Sequence, residues 1–375
     1  MKPILGAHVS VAGGLYKGIE NGTAIGAECI QIFGASPRQW GAGLPSPADV
    51  KKFQDAWKAS SIQSVFLHAP YLNNLASPDE MTIAKTVKNM TAHMTIANMI
   101  GATGVVFHAG SGKVPPKRKL ALGALATTLP ELANLRCNCI GDTMSRSDKE
   151  IRQGSANRSG RADFHLSRCL SCATCPRHSL VVNPREVNEN LQRRPGDQLS
   201  LGGLDGAAAR EASIKKAVVT MKEILKNSPG DTKLIIENVA GGGAKIPATP
   251  KEIGQMLELA NDKRVAVCYD TAHGFEAGLI KEHTPEAVKL LWDEFDKEVG
   301  CEHLVAIHAN DSKTEFNSHH DRHENIGEGF IGKKAFEYLM ADKRIAHTHW
   351  FLEVPGYDGL GPDKKNMDAL KKCRG

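Results

Sequence analysis

Eight short apolar runs punctuate the chain, each bounded by turn residues and separated by longer stretches of helical pattern. They are Ile4–Val9, Cys29–Gly34, Ser64–Ala69, Gly104–Ala109, Leu234–Val239, Val265–Asp270, His303–Ala309 and Trp350–Val354. Several are nearly unbroken Val, Ile, Leu and Phe, the pattern of parallel strands buried on both faces. Between them, apolar residues at three- and four-residue spacing in Lys51–Lys58 and Ile214–Leu225 predict amphipathic helices. Helices are predicted over Pro47–Ala59, Met81–Met99, Ala207–Lys226, Pro250–Ala260 and Pro285–Glu298. Eight strands alternating with helices predict an α/β fold, a (β/α)8 TIM barrel. A doubly wound open sheet is the alternative, but no GxGxxG turn follows the first strand.

One connection is out of proportion. A barrel of ~250 residues spends roughly 31 on each strand–helix unit. His108 and Glu237, near the ends of the fourth and fifth strands, lie 129 positions apart. The pattern therefore predicts a catalytic barrel from residues 1–114 and 206–375, with an insertion over 115–205. The middle of that segment, Ser145–Arg161, is rich in Ser, Arg, Gly and Asn and poor in core-forming residues, which predicts a flexible stretch. Leu120–Leu135 is apolar enough to be the fourth barrel helix, which would move the start of the insertion to about Arg136. The segment also carries Cys137-Asn-Cys139 and Cys169-x2-Cys172-x2-Cys175-Pro-x-His178. CxxCxxC resembles part of a zinc or iron–sulfur ligand set, making Cys169, Cys172 and Cys175 a candidate extra metal site. A complete set of four regularly spaced ligands is not evident, so an accessory flexible segment is the favoured expectation.

Composition changes this picture little. An apolar fraction of 41% and a charged fraction of 24% are ordinary for a globular protein. No stretch has the length of a signal peptide's apolar core or of a membrane span, which predicts a cytoplasmic, intracellular protein without a membrane partner. The net charge of +5 is less informative than it looks. Residues 115–205 hold 14 basic and 9 acidic residues, which accounts for the whole excess, and the remainder holds 33 of each sign. A nucleic-acid surface on the barrel must therefore come from local segregation of charge. Cys29, Cys268 and Cys301 lie in or beside apolar runs and are expected as buried thiols.

The chemistry is concentrated at the strand ends, which converge on one face of such a barrel. In order they offer His68 in FLHAP, His108 in FHAG, Glu237 in IIENVAGGG, Asp270 and His273 in CYDTAHGFEAG, and His308 in IHANDS. Asp321 and His323 follow in DRH, and Glu353 in FLEVPG. Imidazole and carboxylate together suit zinc and similar borderline metals. Nine candidates exceed what one ion takes, and a bridging carboxylate would let them serve two or three. Each has a plainer reading: Asp270 could cap a helix, and Glu237 could be held by backbone amides of the Gly241–Gly243 loop. The coincidence weighs against those readings, because burying so many carboxylates and imidazoles without metal is costly.

The segments GAHVSVAGG, SPRQW, HAPYLNNL, FHAGSG, IENVAGGG, VCYDTAHGFEAG and HANDSKTEF…DRHENIGEGFIG, in that order, resemble the endonuclease IV family of apurinic/apyrimidinic endonucleases. The resemblance implies a xylose-isomerase-like barrel holding three zinc ions. It would assign the first to His68, His108 and Glu237, and the second to Glu237, Asp270, His308 and Glu353. His273, Asp321 and His323 would hold the third. Clustered zinc makes a nucleophile of water at neutral pH and offsets charge on a phosphate. The implied reaction is hydrolysis of the phosphodiester 5′ to an abasic site in double-stranded DNA, leaving a 3′-hydroxyl and a 5′-deoxyribose phosphate. Trimming of 3′ ends would be a further activity. Glu237 would be the base or orienter, and His8 would support a ligand or simply pack. Arg38, Tyr71 and Leu72 would contact DNA, entering the groove beside a flipped-out sugar. A monomer is implied. Ala272 stands where the family often has cysteine, at a position that is not a ligand.

Two other classes are compatible with a barrel of this kind. A sugar isomerase would use a carboxylate-rich site for magnesium or manganese with fewer histidines. A DNA-binding barrel that has lost catalysis would keep the fold but not the nicking. Five imidazoles favour zinc over the first, and intact ligands argue against the second.

Overall fold

The computed structural model describes residues 2–112, 204–228 and 230–375. Eight parallel strands close into a barrel. They are β1 (Ile4–His8), β2 (Cys29–Phe33), β3 (Ser64–His68), β4 (Gly104–His108), β5 (Lys233–Glu237), β6 (Val265–Asp270), β7 (Leu304–His308) and β8 (His349–Leu352). Each pairs with its sequence neighbour, and β8 closes on β1 through Ile4–His349 to Ala7–Leu352. The helices are α1 (Tyr16–Ala24), α2 (Pro47–Lys58), α3 (Glu80–Ile100), α4 (Leu204–Asn227) and α5 (Pro250–Ala260). They continue with α6 (Thr271–Glu276), α7 (Pro285–Glu298), α8 (Lys333–Met340) and α9 (Lys364–Arg374). The predicted barrel is thus borne out, and the open sheet is excluded by closure. The inserted segment, up to the start of α4, and its Cys169, Cys172 and Cys175 lie outside the described residues. No helix among the described residues is long and apolar enough to cross a membrane.

The strands end one or two residues before several of the apolar runs do. Val9, Ala69, Ala109, Val239 and Val354 are buried yet lie beyond the ladder, so hydrophobicity alone overshoots the strand. Alternation along the strands then explains the site. Phe66, Val106, Ile235, Cys268, Ala306 and Phe351 pack together as an apolar layer distinct from the strand–helix core. Two positions further on, and so on the same face of each strand, stand His68, His108, Glu237, Asp270, His308 and Glu353. The dry layer floors the barrel, and the polar layer sits above it at the C-terminal rim. The outward residues, such as Leu67, Phe107, Leu234 and Val267, are fully buried in the larger core beneath the helices. Each such side chain contributes about 1.5–3 kcal/mol by leaving water.

Candidate metal centre

Glu237 is fully buried at the tip of β5, and imidazoles surround it. Its Oε2 lies 3.1 Å from His68 Nε2 and 2.9 Å from His108 Nε2. Its Oε1 lies 2.8 Å from His308 Nδ1 and 3.4 Å from His273 Nδ1. Glu353 Oε2 and Asp270 Oδ2 approach the same His308 nitrogen at 3.2 and 3.7 Å. On the far side, His273 Nε2 is 3.3 Å from Asp321, and His323 Nε2 is 3.6 Å from Asp321 and 3.7 Å from Asp270.

Three groups of potential ligands result, the ligand atoms in each lying within 4.8 Å of one another: His68, His108 and Glu237; Glu237, Asp270, His308 and Glu353; and Asp270, His273 and His323. Glu237 is common to the first two. Asp270 is common to the last two, which the sequence did not suggest. Asp321 stands beside the third group and is the most open of the nine, with its side chain 45% exposed.

The residues fit divalent metal on a point of proton bookkeeping. His68 Nδ1 faces the carbonyl of Ala69 at 2.7 Å, His273 Nδ1 that of Asn238 at 2.9 Å, and His308 Nε2 the amide oxygen of Gln31 at 3.0 Å. Each of those nitrogens must donate its proton, which leaves a lone pair on the other one. For His68 and His308 that lone pair points at carboxylate oxygen, a repulsive arrangement unless a proton or a cation lies between. His273 Nε2 and His323 Nε2 are buried and form no hydrogen bond among the described residues. Without metal, protons must serve: burial disfavours charge on His273, yet Asp270, Asp321 and Glu237 raise its pKa well above the usual range. Burial likewise penalises ionised Glu237, and the imidazoles of His108 and His308 more than offset this, holding it well below the usual range. A divalent cation displaces such protons and is held by the same donor atoms.

Other polar residues lock this arrangement, and sequence reasoning passed over them. Gln31, buried on β2, also donates to Glu353 Oε1 at 2.7 Å. Its signal was a lone amide inside the apolar run Cys29–Phe33. Asn310 donates to Asp270 at 2.7 Å and accepts from the Glu353 amide at 2.8 Å. Asn238 exchanges two hydrogen bonds with the Asp270 backbone. His8 lies 2.8 Å from Glu353 Oε1 through its Nδ1, beside the Gln31 amide, so it packs against a carboxylate of the cluster. Asp270 also caps α6 by accepting from the His273 amide, so its plainer role and its place in the cluster coexist.

The groups open onto a pocket of ≈ 240 Å³ lined by His68, Tyr71, His108, His273, Asp321, Arg322, His323, Glu353 and Pro355. Tyr71 is 72% exposed, with its ring 6.1 Å from that of Phe33 and from that of His68. Leu72 is half-buried and lines an adjoining pocket with Tyr71. Arg38 is exposed on the loop after β2 and makes no side-chain hydrogen bond or ion pair among the described residues.

A closed parallel barrel with a polar cluster of this kind defines a class, and comparison with known proteins agrees: a profile described as xylose isomerase-like TIM barrel matches residues 19–137 and 193–373, and the chain belongs to that family. Within it, the chain is similar to a protein of Halorhodospira halophila named probable endonuclease 4, 29% identical over 99% of this chain and 94% of the relative. It is 28% identical to one of the same name from Campylobacter curvus, over 93% and 92% of the two chains. The crystal structure of endonuclease IV from Thermus thermophilus superposes with a TM-score of 0.66 at 23% identity, covering 99% of this chain and 98% of that one. A D-tagatose 3-epimerase-like protein superposes with a TM-score of 0.53 at 15% identity over 100% and 97% of the chains. Both superpositions speak to the fold. The resemblance read from the motifs is borne out by the family match and by these relatives.

Proposed function

We propose that this chain is a DNA-repair hydrolase that cuts the phosphodiester 5′ to abasic sites in double-stranded DNA, leaving a 3′-hydroxyl and a 5′-deoxyribose phosphate, with 3′-end trimming as a minor activity. The observation that carries the reading is the set of buried imidazoles whose outer nitrogens are committed to acceptors while their inner nitrogens face carboxylates. Three zinc ions are assigned to His68, His108 and Glu237; to Glu237, Asp270, His308 and Glu353; and to His273, Asp321 and His323, with Asp270 near the last. Bound there, they supply Lewis acidity and neutralise charge on a phosphate. Five imidazoles among nine donors favour zinc over magnesium or manganese, and so favour phosphodiester hydrolysis over sugar isomerisation.

The chain's own groups divide the work. Glu237, common to two of the three groups, would orient the attacking water or serve as its base. Gln31, Asn238 and Asn310 fix their neighbours so that little reorganisation accompanies reaction. Tyr71, exposed at the pocket mouth, offers a ring for stacking against DNA opened at a lesion, with Leu72 beside it and Arg38 directed at the backbone. Unstacking is least costly at a damaged site, so the lesion itself favours insertion. The protein acts as an intracellular monomer. The barrel is built from residues 1–114 and 206–375, with 115–205 an accessory insertion; the family match omits 138–192, which lies within that insertion.

Purified protein incubated with a duplex carrying one abasic-site analogue should nick on the 5′ side. Activity should vanish on prolonged chelation and return with zinc. A folded, zinc-loaded protein that leaves this duplex intact would sink the reading.

A further inference from the structure

The loop from Lys313 to Arg322 delivers Asp321 and His323; its ends are joined by a short antiparallel pairing of Asp311–Ser312 with His323–Glu324 and by the Lys313 amide on the Arg322 carbonyl at 2.9 Å, but its interior has no regular element. Asn317 and His319 adopt φ of 59° and 57°, and the remaining left-handed non-glycine among the described residues, Asn261, is a helix C-cap. Such conformations persist only where surroundings impose them. The surroundings here centre on Glu276, the last residue of α6, which is fully buried. Its Oε1 accepts from Ser312 Oγ at 2.8 Å, Thr314 Oγ1 at 3.1 Å and the Arg322 amide at 3.2 Å. Its carbonyl accepts from the His319 amide at 3.0 Å, and the Phe275 carbonyl from Asn317 at 3.2 Å. His319 is held from the other side as well: its Nδ1 lies 3.2 Å from the Ala240 carbonyl. Gly241 and Gly242, at φ of 76° and 83°, leave room for His319, since a Cβ on Gly241 would come within 3.0 Å of its ring and one on Gly242 within 3.0 Å of its own Cβ.

We infer that Glu276 is a positioning residue for the third metal group, tying both ends of the 313–322 loop to the helix that carries His273. The inference rests on the proposed three-zinc reading and deepens it. One short helix presents His273 to the ion and Glu276 to the loop, so all three ligands of that group are referred to a single rigid piece. A carboxylate oxygen suits this task because it can accept from several donors at once. The cost is a carboxyl group buried with Oε2 unpartnered among the described residues. An exposed loop with no ligands to deliver would not repay that cost.

The test compares full-length wild type with Glu276→Ala, Glu276→Gln and Thr314→Val, each confirmed folded by its thermal melt. Hydrogen exchange over 313–322 and stepwise zinc removal by a competing chelator are the readouts. Glu276→Ala should exchange faster in the loop and bind its weakest zinc ~10–100-fold less tightly, with the other two unchanged. Glu276→Gln should stay near wild type, because its amide oxygen accepts from the same three donors. Thr314→Val, which removes one donor and leaves the carboxylate, should fall between. Unchanged loop exchange and zinc affinity in Glu276→Ala would overturn the inference. Wild type that takes up fewer than three equivalents would instead overturn the three-zinc reading, while the exchange data would still decide what Glu276 does.

Discussion

Four imidazoles lie within 3.4 Å of the Glu237 carboxylate. Six of the nine expected residues, His68, His108, Glu237, Asp270, His308 and Glu353, were legible because they stand where apolar runs stop and the barrel brings those stops together, and His273, Asp321 and His323 come from the segments beside them. Gln31, Asn238 and Asn310 were not legible in the same way. Asparagine and glutamine are common in loops, and their meaning here lies in which atoms they face, which sequence spacing does not carry. A titrating residue outside the cluster makes a separate prediction. His283 stacks on Phe275 with its Nε2 unpartnered, and burial lowers its pKa to about 4. The unfolded chain takes up that proton near pH 6.5, so between about 6.5 and 4 it binds protons that the native state refuses. Stability is therefore full above this window and falls as pH drops through it. Between pH 7 and pH 5 the loss assigned to His283 is about 1–2 kcal/mol, given its partial exposure. Urea unfolding at both values should show a smaller acid loss in His283→Phe, which keeps the stack. Equal losses in both proteins would mean that burial does not hold the ring neutral.

Helices with strong start signals are the elements the sequence places best. Ser46-Pro47, Thr249-Pro250 and Thr284-Pro285 each pair a capping hydroxyl with proline at the first turn, and α2, α5 and α7 begin at those prolines. In α2 the cap is a full capping box with Asp49. By contrast, α1 escaped notice because Gly18 and Gly22 dilute its helical pattern. Packing explains both glycines: a Cβ at Gly18 would come within 2.8 Å of Ile32, and one at Gly22 within 2.3 Å of Ile30. Helix α1 thus lies against β2 so closely that helix propensity is sacrificed for contact. In an exposed helix Gly→Ala would gain about 1 kcal/mol. At position 22 the sign should reverse, with Gly22→Ala costing about 1–3 kcal/mol through overpacking. Denaturant midpoints would decide it, and a stabilised variant would show that the interface has slack. Of helix α6 only the cap, Asp270, shows in the sequence; six residues are too few for a periodicity to register, yet it carries both His273 and Glu276.

At the scale of the whole molecule, the barrel's two layers set folding and metal binding in opposition until a cation arrives. The apolar layer of Phe66, Val106, Ile235 and Phe351 favours closure of the strands. Closure in turn buries Glu237, Asp270, His308 and His273 almost completely, stripping four ionisable groups of water. Such groups must be paired, and protons are a poor substitute for metal because burial penalises every imidazolium they create. Metal bound only by the native state adds stability in proportion to the logarithm of its excess over the dissociation constant, about 4 kcal/mol per ion at a thousandfold excess. In a barrel of this size each kcal/mol moves the melting temperature by roughly 2–4 °C. Zinc-loaded protein should therefore melt at least about 8 °C above the chelated form, and the gap should narrow at lower pH as protons compete for the same nitrogens. Calorimetry with excess zinc, with chelator, and with magnesium after chelation separates the possibilities. Recovery with zinc alone is the result expected of an imidazole-rich site. Full recovery with magnesium would favour the carboxylate chemistry of a sugar isomerase. No shift on verified metal removal would mean that the nine groups are held by protons and hydrogen bonds, and that the barrel folds without metal.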